Sequence, residues 1–221
     1  MTNLDMEYDD WADRWTTGRI GFHQSKVSRA LTSHTDAFAI DGRFENVFVP
    51  LCGKSLDIAF LAELSDTVVG VEFVEQAVRE FYEEHGLTAV VDVGPPCRYQ
   101  AGNITLFAAD FFALTPQLTG PIDAVFDRAS LVALDRETRR RYADHLASLI
   151  PSGARILLVS FDYDQAEMTG PPFAVSAEEV ADLYGGTFDI THLETRDVVN
   201  EIMAGRGLTA MTESNWILVR R

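Results

Sequence analysis

Short runs of β-branched and aliphatic residues alternate along this chain with longer stretches whose apolar residues recur at helical spacing. Six runs have the length of a β-strand: 46–51, 67–72, 104–108, 122–126, 154–161 and 215–219. The stretches with helical spacing are 55–64, 74–85, 137–149 and 176–184. Strands that alternate with helices form βαβ units around a mostly parallel sheet. The alternation therefore predicts a doubly wound α/β fold.

The first 45 residues have a different composition from the rest of the chain. Trp11, Trp15 and Phe22 stand in a polar segment that is compatible with helices. The chain has 221 residues and contains neither a Ser/Gly-rich linker nor a repeat, which fits one domain. We therefore predict a single-domain protein in which an N-terminal helical lid (1–45) packs on the main domain (46–221).

Charge and cysteine content exclude several classes of partner. Asp and Glu total 34 against 18 Lys and Arg, a formal net charge of −16 that repels phosphate backbones and anionic lipids. Two cysteines and five scattered histidines favour neither a disulfide framework nor a metal site. No secretory signal is visible and no apolar run reaches membrane-spanning length. We expect a cytoplasmic monomer with a small-molecule partner, without metal, nucleic acid or membrane.

The loops that follow the strands contain the candidate binding residues. In open α/β sheets the ligand binds beyond the carboxyl ends of the strands. Gly53 follows the first predicted strand, and Glu72 stands 19 residues later, at the end of the second. A carboxylate about 20 residues beyond a glycine turn can accept hydrogen bonds from both ribose hydroxyls of a nucleoside. A plain strand-end carboxylate is the alternative interpretation of Glu72.

Two phosphate-binding interpretations fail on spacing. A phosphate loop needs a glycine six residues before Lys54, and that position is Phe48. The dinucleotide fingerprint needs three glycines where Gly53 stands alone. A ligand with an adenosine but no phosphates fits better, and S-adenosylmethionine meets that description.

Two further strand ends supply candidate contacts. Asp110 can accept a hydrogen bond from an adenine amine while Phe111 covers a ring face, although a core position is an equal alternative for Phe111. Arg128 precedes a helical stretch, where a cation is disfavoured by the helix dipole. This position indicates either an anionic or backbone partner, or a salt bridge to Asp127 or Asp110.

Several of these segments match one family. The chain resembles the thiopurine S-methyltransferase family of S-adenosylmethionine-dependent enzymes. The matching segments run in the family's order and cover nearly the whole chain: Trp-Ala-Asp-Arg-Trp (11–15), Gly-Phe-His-Gln (21–24), Val-Pro-Leu-Cys-Gly-Lys-Ser (49–55), Val-Gly-Val-Glu (69–72), Asp-Arg (127–128), Leu-Val-Ala (131–133), Arg-Tyr (141–142) and Gly-Pro-Pro-Phe (170–173). One departure is Ala129-Ser130, where the family more often has Gly-Ala or Ala-Ala.

The resemblance implies a fold and a role for each matching residue. The fold is the class I methyltransferase sheet, Rossmann-like, doubly wound, mostly parallel and seven-stranded. Trp11 closes over the cofactor, Leu51 lies against it, and Glu72 holds the ribose. Arg128 lines the boundary between cofactor and acceptor, and Phe22 faces the acceptor. Asp110 and Phe111 occupy the adenine side.

The implied reaction is methyl transfer from S-adenosylmethionine to the sulfur of an aromatic or heterocyclic thiol. An apolar rim of Trp11, Phe22 and Phe173 excludes water, and no acid or base is needed because such thiols are substantially ionised at neutral pH. Methylation of selenium, tellurium, halide or thiocyanate species is an alternative. A protein that binds S-adenosylmethionine without catalysis is an alternative of another class.

Overall fold

The computed structural model describes residues 4–39, 42–199, 204–205 and 207–221. The helices are α1 (Leu4–Thr16), α2 (Arg29–Phe38), α3 (Leu56–Leu64), α4 (Glu75–Glu84), α5 (Pro116–Thr119), α6 (Arg136–Leu149) and α7 (Ala177–Tyr184). The strands in these ranges are β1 (Phe44–Val49), β2 (Ser65–Glu72), β3 (Val90–Asp92), β4 (Cys97–Ala101), β5 (Ile104–Ala108), β6 (Ala124–Asp127), β7 (Arg155–Asp162), β8 (Phe188–Asp197) and β9 (Thr212–Arg220). No helix within these ranges is both long and apolar enough to cross a lipid bilayer.

The described strands form one sheet in the order β3-β4-β5-β2-β1-β6-β7-β9-β8. The five central strands pair in parallel, in the order β5, β2, β1, β6 and β7. The outer strands pair antiparallel on both sides. The predicted α/β class and parallel centre are confirmed, but the expected count of seven strands is wrong because the described sheet has nine.

The additional strands are a hairpin at one edge of the sheet. β3 and β4 pair with each other, and β4 pairs with β5. All three residues of β3 are exposed, with Val90 at 77% exposure. An edge strand without a buried face has no alternation of apolar and polar residues, so the hydrophobic pattern that identified six of the strands is missing there. β4 and β8 were not among the predicted strands either.

Helix starts follow from local side-chain capping. Ser55 accepts a hydrogen bond from the Asp57 N–H at the start of α3. Asp135 accepts from two N–H groups at the start of α6, and Ser176 accepts from the Glu179 N–H at the start of α7. Each cap satisfies an N–H that a helix cannot pair internally. The predicted helical stretches therefore begin within one or two residues of the observed helices.

Apolar side chains cover both faces of the sheet. Buried residues of α6 and α7 pack on one face, and buried residues of α2, α3 and α4 pack on the other. Leu31 and Phe38 of α2 are fully buried in the second of these cores. The second helix of the N-terminal segment is thus part of the core, whereas α1 packs over the strand ends through Trp15.

Gly70 allows β2 to approach its neighbours closely, which yields the first prediction. A Cβ at this position would lie 2.7 Å from Leu106 Cδ2 and 2.9 Å from Cys52 Sγ. Gly70→Ala should therefore lower the free energy of unfolding by about 1–3 kcal/mol through overpacking, as measured by urea denaturation. The control is Gly186→Ala, because a Cβ there meets no atom within 4 Å. Equal stability of the two variants would contradict the packing argument.

Candidate functional site

The strand order reverses between β1 and β6, which pair in parallel at the centre of the sheet. Ligands of open α/β sheets bind at such a switch point, beyond the carboxyl ends of the strands. The loop after β1 (50–55) and the loop after β6 (128–130) flank this point. Ser130 Oγ donates a 2.7 Å hydrogen bond to the Pro50 carbonyl and joins the two loops.

Glu72, at the end of β2, connects the glycine turn to the start of α4. Its Oε2 accepts a 2.9 Å hydrogen bond from the Gly53 N–H, and its Oε1 accepts a 2.8 Å bond from the Val74 N–H. The side chain is 7% exposed. Burial raises the pKa of Glu72, while backbone N–H groups of Val74, Gly53 and Phe73 act in the opposite direction. Each oxygen keeps a further lone pair, so the carboxylate can still accept bonds from a ligand.

The glycine turn has two residues in the left-handed region of backbone conformation. Leu51 and Gly53 both have positive φ angles, of 41° and 53°. The left-handed region is unfavourable for Leu51, and such strain concentrates at binding sites. Burial, reinforced by Glu72, raises the pKa of the Cys52 thiol well above its ordinary value, so this thiol is protonated.

An aromatic cluster from the N-terminal segment covers this turn. The Trp11 and Trp15 rings lie edge-on to Phe22, with centroids 5.8 Å and 5.5 Å away. A Cβ on Gly53 would lie 3.2 Å from the Trp15 ring, so the indole packs on the turn itself. Trp11 and Phe22 remain partly exposed. The structure therefore places Trp15 directly on the predicted cofactor loop.

Arg128 is a largely enclosed cation beside this cluster. Its Nη2 donates a 3.2 Å hydrogen bond to the Phe22 carbonyl, which ties the N-terminal segment to the β6 loop. No carboxylate in the described ranges lies within salt-bridge distance of Arg128, so the salt-bridge alternative does not hold there. Burial lowers the pKa of Arg128, while the charges of Asp57 and Glu213 raise it. An arginine remains protonated, so this guanidinium is available to an anionic ligand.

The conformation of the Arg128 loop depends on Asp127, a residue that sequence reasoning treated only as a possible salt-bridge partner. Asp127 is fully buried and accepts hydrogen bonds from the Tyr142 hydroxyl (2.7 Å) and the Leu131 N–H (3.2 Å). Burial raises the pKa of Asp127 to about 6. Ala129 follows with a φ of 63°, a conformation that favours glycine. The carboxylate therefore holds a strained turn in place.

The adenine-side candidates separate into one partly exposed and one buried residue. Asp110 Oδ1 accepts a 2.9 Å hydrogen bond from the Phe112 N–H, and the Asp110 side chain stays partly exposed at the strand edge. The Phe111 ring is 5% exposed and packs against Phe48 and Tyr142. This packing supports the core interpretation of the Phe111 ring.

The Gly-Pro-Pro-Phe segment forms a loop that joins the site from the β7 side. The Phe173 N–H donates a 2.7 Å hydrogen bond to the Val132 carbonyl, just beyond the Arg128 turn. A Cβ on Gly170 would lie 2.5 Å from the Phe173 ring, so only glycine allows this contact. Arg139 lies 5.7 Å from the centre of the same ring. Phe173 is partly buried and its loop is anchored close to the Arg128 turn.

Two polar residues that the sequence reasoning did not select anchor the surroundings of the glycine turn, Asp57 to the N-terminal segment and Lys54 to α4. Asp57 accepts a 2.6 Å hydrogen bond from the Ser28 N–H and another from the Ser55 hydroxyl. Lys54 forms ion pairs with Glu80 (2.7 Å) and Glu84 (2.6 Å). An aspartate two residues after a capping serine gives no sequence sign of such a long-range bond, which is why Asp57 was missed.

One protein family matches this chain over nearly its whole length. The family model described as "Thiopurine S-methyltransferase (TPMT)" matches residues 6–221. A thiopurine S-methyltransferase of Pseudomonas aeruginosa (strain UCBPP-PA14) is 43% identical over 218 residues, covering 97% of this chain and 100% of that protein. One of Nitrosospira multiformis is 42% identical over 219 residues, covering 98% and 99%.

Solved structures give the same architecture at low sequence identity. The 1,6-didemethyltoxoflavin-N1-methyltransferase of Burkholderia thailandensis, solved with S-adenosylhomocysteine, has a TM-score of 0.66 at 16% identity, covering 99% of this chain and 89% of that one. The magnesium protoporphyrin IX methyltransferase of Synechocystis PCC 6803, solved with SAM, has a TM-score of 0.65 at 16% identity, covering 100% and 98%. At this identity the comparison establishes the fold alone.

The elevated pKa of Asp127 predicts a pH-dependent stability. The native carboxyl keeps its proton to about pH 6, whereas the unfolded one loses it near pH 4, so its contribution falls as pH rises between those values. From pH 4 to pH 7 the free energy of unfolding of the wild type should fall by about 3 kcal/mol relative to Asp127→Asn, as measured by urea denaturation.

Asp135→Asn is the control with the opposite sign. The Thr138 N–H, as the largest cause, lowers the pKa of Asp135, so its contribution is present above pH 4 and is lost on acidification. If the free energy of unfolding depends on pH in the same way in the wild type and in Asp127→Asn, the buried carboxyl has no raised pKa and the prediction is contradicted.

Proposed function

The chain belongs to the thiopurine S-methyltransferase family, and we propose that it methylates the sulfur of an aromatic or heterocyclic thiol with S-adenosylmethionine. The observation that carries the proposal is the placement of two residues at one switch point. Glu72 offers a buried carboxylate beside the glycine turn, and Arg128 offers a cation without a carboxylate partner in the described ranges. The first suits a nucleoside and the second suits an anionic acceptor.

The residues at the switch point fit S-adenosylmethionine. The two oxygens of Glu72 accept from the Gly53 N–H in the loop after β1 and the Val74 N–H at the start of α4, and they keep lone pairs for two hydroxyls. Gly53 lets Trp15 pack on the turn, because a Cβ there would lie 3.2 Å from the indole ring. We assign Trp11, Leu51, Gly53, Glu72 and Arg128 to the cofactor side of the site. We assign Asp110 and Phe111 to its adenine end. The ring of Phe111 supports this end from the core, where it packs against Phe48 and Tyr142.

The acceptor side is proposed to be an aromatic enclosure with one cation. The Phe22 carbonyl accepts a hydrogen bond from Arg128. Phe173 lies on a loop that is anchored to Val132, just beyond the Arg128 turn. Aromatic rings stack on flat acceptors and exclude water, and the guanidinium offsets the negative charge of a thiolate. Because the thiolate is already a strong nucleophile, positioning and desolvation supply most of the rate without a side-chain base.

When bound, S-adenosylmethionine supplies the methyl group and keeps the electron pair of the breaking sulfur–carbon bond, so that it leaves as S-adenosylhomocysteine. Arg128 holds the acceptor's sulfur as an anion, and an acceptor that arrives as a neutral thiol loses its proton to solvent. The N-terminal segment closes the site by three described contacts: Trp15 on Gly53, Phe22 on Arg128, and Ser28 on Asp57.

A turnover assay tests the function directly. The purified protein is incubated with methyl-labelled S-adenosylmethionine and a panel of aromatic thiols, selenite-derived species and iodide. Labelled thioether from the thiols is the expected product. Product from iodide or selenium species alone would show that the acceptor is not an aromatic thiol. Tight cofactor binding without any product would indicate a protein that binds S-adenosylmethionine without catalysis. The monomeric state and the cytoplasmic location remain predictions. The two free cysteines are compatible with a reducing compartment.

Glu72→Ala should weaken binding of S-adenosylmethionine by roughly 1.5–3 kcal/mol, or about 10- to 150-fold in Kd, because two bonds to a charged acceptor are lost. Isothermal titration calorimetry gives the measurement. Glu63→Ala, an exposed change on α3, is the matched control. An unchanged Kd in Glu72→Ala would reduce this carboxylate to a structural clamp of the glycine turn.

Arg128→Ala should fold but lose most of its turnover, at least about tenfold in kcat/KM, because a charge-assisted contact to the acceptor is removed. Thermal unfolding and calorimetry monitor fold and cofactor binding alongside the labelled-methyl assay. Arg136→Ala removes an exposed arginine and should be fully active. Full activity in Arg128→Ala would exclude Arg128 from the acceptor site.

A further inference from the structure

Phe173, which the proposed function assigns to the acceptor side, lies in a loop whose backbone is held on both sides of this residue. Residues 172–174 have no regular secondary structure. The Tyr163 hydroxyl donates a 2.5 Å hydrogen bond to the Pro172 carbonyl, and the Ala174 N–H donates a 2.8 Å bond to Gln165 Oε1. Water can satisfy such backbone groups in a surface loop. Side-chain partners on both sides of one residue therefore indicate that its position matters.

The two side chains that form these bonds, Tyr163 and Gln165, are also bonded to each other. Gln165 Nε2 donates a 3.0 Å hydrogen bond to the Tyr163 hydroxyl oxygen, which leaves the hydroxyl proton for the Pro172 carbonyl. The Tyr163 ring is buried with Leu208 and Met211 in a small apolar cluster. Because packing fixes the ring, the Tyr–Gln pair (Tyr163 and Gln165) presents its donor and acceptor to the loop from a fixed position.

Further bonds fasten the same loop to other parts of the site. The Phe173 N–H donates to the Val132 carbonyl at 2.7 Å, just beyond the Arg128 turn. Arg139 is 3% exposed, donates a 3.1 Å bond to the Ala174 carbonyl and lies over the Phe173 ring. The loop is therefore held relative to both the Arg128 turn and α6.

The bonds of the Tyr–Gln pair act on the two peptide planes that flank Phe173. The Pro172 carbonyl belongs to the plane before this residue, and the Ala174 N–H belongs to the plane after it. Because each peptide unit is planar, holding both planes fixes φ and ψ of Phe173 and the direction of its Cα–Cβ bond. The pair therefore sets the direction in which the ring leaves the backbone.

We propose that Tyr163, supported by Gln165, is a positioning residue that orients the Phe173 ring against the aromatic thiol. This inference rests on the proposed function and deepens it, because that function is what assigns Phe173 to the acceptor side. Positioning supplies much of the rate of such a reaction, and a displacement of about 1 Å can cost about 100-fold in rate. Tyr163 acts through Phe173 and does not need to touch the acceptor.

The test is a double-mutant cycle between Tyr163 and Phe173. Tyr163→Phe removes only the hydroxyl and is made in the wild type and in Phe173→Ala. The matched control is Tyr82→Phe, which removes another buried hydroxyl, one that donates to the Tyr99 and Ile104 carbonyls. Each variant is assayed for kcat/KM with thiophenol, for the Kd of S-adenosylmethionine by calorimetry, and for melting temperature.

Tyr163→Phe should lose about tenfold in kcat/KM in the wild type and less than about twofold in Phe173→Ala, where the ring that it positions is gone. Its Kd for S-adenosylmethionine should stay within about twofold of the wild-type value, because the loop lies on the acceptor side. Both tyrosine variants should melt about 2–4 °C lower, because each loses one hydrogen bond. Tyr82→Phe should keep the wild-type kcat/KM.

Gln165→Met applies the same test to the other member of the pair. It removes the bond to the Ala174 N–H, and the variant should fold because residue 165 is exposed. A loss of about threefold or more in kcat/KM is expected, again only where Phe173 is present. Gln100→Met, an exposed change on β4, is its control. Phe173→Leu replaces Phe173→Ala in the cycle if the alanine variant does not fold.

Two results would overturn the proposal. Equal losses of kcat/KM in Tyr163→Phe with and without Phe173 would give the hydroxyl a structural role only. A kcat/KM of Tyr163→Phe as high as that of Tyr82→Phe would show that the Phe173 ring keeps its position without this bond. A wild-type protein that does not methylate thiophenol would instead contradict the proposed function, so the two failures are distinguishable.

Discussion

The Glu72 carboxylate is the interaction on which the proposed site depends, because it fixes the spacing of two loops that the sheet brings side by side. Its two oxygens accept N–H groups from Gly53 and Val74, one in the loop after β1 and one at the start of α4. Parallel pairing of β1 with β2 brings these loops side by side, and the carboxylate fixes their spacing. The same group that shapes the cofactor loop is thereby left at its surface, buried and still able to accept bonds from a ligand.

The N-terminal segment extends this arrangement from the cofactor loop to the acceptor side. Trp15 packs on Gly53, and the Phe22 carbonyl accepts from Arg128. The closure therefore uses a glycine turn and a guanidinium that the site itself needs. A ligand that displaces either contact also changes how the segment is held, so binding and closure are physically coupled. The core positions of Ala30 and Leu31 limit such movement to the part of the segment that precedes α2.

The fold and most candidate residues could be predicted from sequence because their physical signs are local. Helix caps, buried parallel strands and the spacing of Gly53 and Glu72 all lie within a few tens of residues. The exposed strand β3 has no buried face to give an alternating pattern. Asp57 accepts the Ser28 N–H and Asp127 accepts the Tyr142 hydroxyl of α6, and no motif or residue spacing marks either pair. Partners that tertiary packing alone brings together leave no periodicity to read.

This protein contains two kinds of buried polar group, those that are hydrogen-bonded and those that are not. Asp127 is buried but fully engaged, and its hydrogen bonds offset the penalty of burial while they hold the strained turn at Ala129. Asn215 is equally buried and has neither atom paired. A group of the first kind contributes to the fold, whereas a group of the second kind weakens it unless a water molecule or another partner satisfies it. Asp127 bonds to Tyr142 on the face of the sheet that α6 covers, and Asn215 stands opposite Val159, which packs on the face that α2 covers. Each face therefore buries one of these groups, and only Asp127 is satisfied by other described residues.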